Sequence, residues 1–178
     1  MNPMAGNAPV ARKSPMERFL SRFTIIHGGE GLGALLLTVN VFVLLASYYV
    51  LKTVREPLIL AEGSAELKAY AAAAQAALLF LVIPVYGWIA SRMDRIRFIS
   101  LSTLFFVMNL AGFFILVQAG FKVGFAFFIW LGIVNVFVVA QFWAFANDLY
   151  TEEAGKRLFP SIGMGSSLGA WLGSEAAG

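Results

Sequence analysis

Residues 31–60 read GLGALLLTVNVFVLLASYYVLKTVREPLIL. From Gly31 to Leu51 the stretch carries no charge, and its apolar residues run on without the two-residue alternation of a half-buried strand. About 20 mostly apolar residues are needed for a helix to cross a bilayer. Gly31–Leu51 meets that length, and the charges that follow it, Lys52, Arg55 and Glu56, arrive with no turn signal before them. Three further uncharged runs have the same character: Ala69–Ser91, Phe98–Phe121 and Val123–Asn147. A fifth, carrying one charge at Glu175, begins at Leu158 and continues to Gly178. In hydrocarbon only helices and closed barrels satisfy every backbone group, and barrel strands alternate. The pattern therefore predicts an all-α, polytopic transmembrane helical bundle, with four complete spans and a truncated fifth over residues 31–178.

Composition points the same way. The 178 residues are 60% hydrophobic and 13% charged, with a mean hydropathy of +0.79. Water-soluble domains carry roughly 25% charged residues, so the charge needed for an ordinary solvated surface is missing. There is no cysteine, which excludes disulfides, thiolate metal sites and cysteine nucleophiles. The first apolar run starts too late and is too long for a cleavable signal peptide.

Basic residues are unevenly placed. Arg12, Lys13, Arg18 and Arg22 precede the first span, Arg92, Arg95 and Arg97 join the second to the third, and Lys156 and Arg157 follow the fourth. The opposite side carries Lys52, Arg55 and Lys68 against Glu56, Glu62 and Glu66, and then Lys122. By the positive-inside rule the N-terminus is expected in the cytoplasm; a bacterial inner membrane is a separate expectation. Residues 1–13 are expected to be a disordered tail. Residues 14–30 are expected to form an amphipathic surface helix: Ser14, Pro15 and Glu17 give a helix-start pattern, and Met16, Phe19, Leu20 and Phe23 share a face away from Arg18 and Arg22.

Charges next to hydrocarbon are where a function is to be sought. If the first helix runs on past Leu51, Tyr48, Lys52, Arg55 and Glu56 fall at i, i+4, i+7 and i+8 and share one face. Ionisable groups at such depth usually face a bundle interior or a wet cavity. The competing reading is a membrane anchor whose cations snorkel to the headgroups, but an anchor has no use for Glu56. The fourth span ends Phe142-Trp143-Ala144-Phe145-Ala146-Asn147-Asp148, so that Asn147 and Asp148 lie directly beneath an aromatic belt. Glu152 and Glu153 then precede Lys156 and Arg157 by four residues, a structural pairing pattern. Gly165, Gly169 and Gly173 recur every fourth residue, which lines one helix face and permits close packing of a partner helix. Gly163-Met164-Gly165 lacks the preceding strand and third glycine of a nucleotide loop. His27 stands alone, and the sequence offers no triad, metal site or paired catalytic carboxylates, so no enzyme activity and no cofactor are expected.

Two resemblances add to this reading. Gly87 through Arg97, GWIASRMDRIR, resembles the loop signature of the major facilitator superfamily: Gly87 and Arg92 match, whereas Ser91 stands at that signature's Asp and Asp94 at its second Gly. Residues 48–60, the 142–148 segment, and Lys156-Arg157-Leu158-Phe159-Pro160 leading into Gly163 and Ser166-Ser167-Leu168-Gly169 together resemble the nucleotide transporter (ATP:ADP antiporter) family. Gly29-Glu30 before the first span also fits, and the likeness extends over roughly residues 25–175.

That likeness implies a major facilitator-like fold of about twelve helices in two halves, of which this chain would be an N-terminal fragment whose partners are the remaining transporter helices, the lipid bilayer and a nucleotide substrate. It implies exchange of ATP/ADP-like nucleotides without hydrolysis, and no nucleic acid. Lys52 and Arg55 would meet the phosphates and Glu56 would hold those cations in the absence of substrate. Tyr48, Tyr49 or Trp143 would stack on the base, and Asn147 and Asp148 complete the expected substrate-binding set. A facilitator of another solute, or a non-transporting scaffold or degenerate fragment, would share the same runs of apolar residues.

Overall fold

The structure, a computed structural model, describes residues 30–176, with the backbone only at position 161. The expected tail and surface helix, up to residue 29, lie outside the described residues. Five helices follow in order: α1 Gly31–Glu62, α2 Ala65–Ala90, α3 Arg95–Gln118, α4 Gly124–Leu149 and α5 Glu152–Glu175. The described residues contain no strand. The first four helices are long and apolar enough to cross a membrane; α5 is not among them.

The sequence reading closes the first span at Leu51, but α1 continues through Pro57 for three more turns. Proline removes one backbone hydrogen bond from a helix interior, a loss that neighbouring helices can offset in a membrane bundle. Here the turns around Pro57 pack on α4. Ile59 is fully buried with Ala71, Phe128 and Ile129, and a Cβ on Gly124 would come within 2.5 Å of the Leu58 carbonyl oxygen. Only a glycine lets α4 begin there. At 1.5 Å per residue α1 is about 48 Å long, well beyond the roughly 30 Å of hydrocarbon, so its last turns belong near or outside the lipid boundary.

Turns are built by local chemistry. Ser64 caps α2, its Oγ accepting the Glu66 N–H at 3.3 Å. Thr151 does the same for α5, accepting the Ala154 N–H at 3.4 Å. α5 therefore starts at Glu152, earlier than the apolar run that opens at Leu158, and passes through Pro160. Between α3 and α4, Gly120 takes φ +81°, and the N–H groups of Gly120 and Phe121 donate to the Val117 and Leu116 carbonyls. That pair of bonds is a Schellman ending, for which an L side chain is poorly suited.

α4 is the hub. It runs antiparallel to α1, with Ala34, Leu37 and Val41 packed beside Phe142 and Ala146 at the end opposite Gly124. Tyr86 of α2 stacks on Phe137, ring centroids 4.3 Å apart. α3 touches α4 through the ring pairs of Phe113 with Phe127 and Trp130 and through Gln141, only 6% exposed, which donates to the Ser102 Oγ at 2.7 Å. α5 lies parallel to α1 in the most extensive helix contact of the molecule. Gly165 faces Thr38, Gly169 faces Phe42 and Gly173 faces Ala46, each with the α1 backbone where a Cβ would stand. In lipid, apolar burial no longer drives helices together, and close backbone approach through small residues takes over.

Candidate anion site

The candidate side chains lie toward the end of α1, where the helix is longer than about 30 Å of hydrocarbon requires. Because the helix runs on past Leu51, Tyr48, Lys52, Arg55 and Glu56 stay on one side of it. The Arg55 guanidinium lies 4.1 Å over the ring of Phe128 in α4 and is 11% exposed. Its Nη2 donates to Glu56 Oε1 at 2.7 Å, while its Nε is buried with no hydrogen-bond partner among the described residues. The other carboxylate oxygen of Glu56 accepts from Lys68 Nζ, at the start of α2, at 2.5 Å. Lys52 sits over the ring of Tyr49 at 5.1 Å, and Tyr48 meets Tyr49 edge-on at 5.5 Å. Arg55 and Lys68 thus share one carboxylate, with Lys52 a third cation nearby on α1. Glu62 is nearby but committed elsewhere, accepting the Gly124 and Phe125 N–H groups at the start of α4.

The expected binding set does not converge. Asn147 and Asp148 lie 19 and 20 residues along α4 from Phe128, about 30 Å away from the Arg55 ring contact. Asp148 is held there by Arg95 of α3, at 2.7 Å from Nε and 3.4 Å from Nη2. Asn147 lines a separate cavity of about 570 Å³ with Tyr150, Glu152 and Lys156. Trp143 packs edge-on against Phe142 and Phe159, which occupies it as a packing residue. Lys156 pairs with Glu152 at 2.7 Å as the spacing suggests, but Arg157 reaches Glu30 at 3.2 Å, tying α5 to the threshold of α1. Tyr150 packs over Gly33 in the same corner. Burial, and then the Glu30 carboxylate, push its hydroxyl above the usual tyrosine range.

A larger cleft of about 910 Å³ opens between α1, α3 and α4. Among the described residues its polar lining consists of neutral groups such as Asn40, Ser100, Thr103 and Gln141. No charged side chain of the described residues lines it, so a multiply charged anion would find no counter-ion in those walls. The Arg55 face is the better candidate for anion chemistry.

Sequence reasoning passed over Lys68. A signal was available: the turn at Gly63-Ser64 folds α2 back on α1, so an acid several residues before it and a base several after it are brought abreast. No protein-family profile, curated protein or solved structure matches this chain.

Proposed function

We propose that this segment belongs to a membrane transporter that exchanges ATP/ADP-like nucleotides, with Arg55 and Lys52 receiving the phosphates. One observation carries the reading: Arg55 is withdrawn from water onto Phe128, yet among the described residues its Nε has no partner and its one carboxylate partner is shared with Lys68. Withdrawing a guanidinium from water is costly, and a residue serving only as an anchor would extend to the headgroups. A planar guanidinium suits phosphate, and a lysine supplies a compact second charge. At lower dielectric than water, attraction for a polyphosphate is stronger. Tyr48 and Tyr49 offer aromatic faces beside these cations. The nucleotide itself rests on the resemblance at residues 48–60 and 142–148, as does the major facilitator-like fold. The cytoplasmic N-terminus rests on the basic loops, and the bacterial inner membrane is part of the same proposal.

The test is ATP and ADP exchange in proteoliposomes holding the complete protein. Arg55→Ala should weaken nucleotide binding by about 2–5 kcal/mol, the cost of breaking a desolvated charge contact, with insertion near normal. Arg55→Lys should recover only part, because the planar fork is gone. Arg97→Ala, in the first turn of α3 at the other end, should exchange like wild type. Wild-type exchange by Arg55→Ala would overturn the proposal. A panel including sugar phosphates and peptides separates nucleotides from other solutes.

A further inference from the structure

The carboxylate of Glu56 does more than neutralise its neighbour. Its two oxygens are divided between two helices, Oε1 on the Arg55 guanidinium of α1 and Oε2 on the Lys68 ammonium of α2. This is the placement of one anion bridging two cations, and a phosphate group presents two adjacent oxygens in the same way. Access is graded across the cluster: Arg55 is 11% exposed, Glu56 32% and Lys68 42%. Something arriving from water meets Lys68 first and Arg55 last.

Resting on the phosphate-binding reading of Arg55, we infer that Lys68 is a further cation of the same site and that Glu56 is its resident anion, a built-in competitor that a polyphosphate displaces. The charge arithmetic favours displacement by some anions only. A carboxylate brings one negative charge, whereas a phosphate monoester brings about 1.5 to 2, so the exchange gains attraction for a polyphosphate and little for a monocarboxylate. The contest sets the substrate class: multiply charged phosphates are admitted and singly charged acids are not. Glu56 is free to swing away because it is a third exposed and makes its bonds through a flexible side chain. Without substrate it keeps Arg55 and Lys68 from facing each other uncompensated, a like-charge contact in a partly desolvated place.

A residue that merely ties α1 to α2 behaves differently on mutation. Losing either partner of a tie lowers stability, and anion affinity does not rise. Losing a competitor raises affinity. The experiment measures binding of inorganic pyrophosphate, with acetate as the singly charged control, to the complete protein in detergent by calorimetry, beside its melting curve. Glu56→Gln should bind pyrophosphate several-fold more tightly than wild type, and Lys68→Gln should bind about tenfold more weakly, with Lys68→Arg restoring most of the loss. Glu56→Asp keeps the charge but is too short to span both cations. It should give a smaller rise and serves if the amide variant does not fold. Acetate should bind none of them measurably. Unchanged or weaker pyrophosphate binding by both Glu56 variants, or unchanged binding by Lys68→Gln, would overturn the inference. If Arg55→Ala abolishes nucleotide exchange while the Lys68 and Glu56 variants bind pyrophosphate like wild type, this inference alone fails. If pyrophosphate binding follows the expected order but no nucleotide is exchanged, the transport reading alone fails.

Discussion

Glu62, the last residue of α1, stands in as the cap of α4: its carboxylate accepts the Gly124 N–H at 2.5 Å and the Phe125 N–H at 3.2 Å. The residue in the N-cap position, Val123, has no side chain able to do this. The first N–H groups of a helix lack intrahelical partners and carry a partial positive charge, so a carboxylate from a neighbouring helix both satisfies them and pins the two elements together. The pin works only because Gly124 lets α4 start against the Leu58 and Ile59 backbone.

Glu62→Ala should therefore destabilise the bundle by about 0.5–2 kcal/mol, the range for a lost helix cap. Glu62→Gln, which keeps one acceptor without the charge, should recover part of it. Thermal unfolding in detergent reads both. Equal stability of wild type and Glu62→Ala would show that water caps α4 as well as Glu62 does.

The glycine seam of α5 makes a sharper prediction. A Leu at Gly169 must force α5 away from the Phe42 backbone, and overpacking of this kind costs about 1–3 kcal/mol or more. Ala170 is half-buried on an adjoining face, and Ala170→Leu should be better tolerated. Comparable melting curves for Gly169→Leu and Ala170→Leu would mean that the seam contributes nothing to stability.

The Arg95–Asp148 pair is 40% and 49% exposed, and pairs of that kind are worth at most about 1 kcal/mol. Asp148→Asn should leave the melting temperature near wild type. In the exchange assay it also decides the role of Asp148. Exchange should fall far less than in Arg55→Ala, because the two sites lie about 30 Å apart along α4. A loss as severe as that of Arg55→Ala would return Asp148 to the substrate path.

Orientation is checked by labelling. Ser64 and Asp94 flank α2 at its two ends. In intact cells Ser64→Cys should react with a membrane-impermeant thiol reagent and Asp94→Cys should not, since the native chain has no cysteine to interfere. The reverse labelling would invert the topology drawn from the basic loops.

The apolar runs by themselves determined that the described chain is helical, and where its four long apolar helices lie, because backbone groups in hydrocarbon must bond within their own segment. That constraint is local, and run length reads it directly. The shared face of Lys52, Arg55 and Glu56 was legible for the same reason, helical period being a property of one element. Tertiary structure decided what those residues meet. Whether α1 survives Pro57 depends on Gly124 and Ile59 packing beyond it. Lys68, not Asp148, joins Arg55, because the tight turn at Gly63-Ser64 folds α2 onto α1 while α4 carries Asp148 to the other end of the bundle. Which glycines matter was also settled between elements: Gly165, Gly169 and Gly173 meet the α1 backbone, whereas a Cβ at Gly163 would meet nothing within 4 Å. A single sequence records which side chains are available at each turn, but the distance between two helices is set by the surfaces of both.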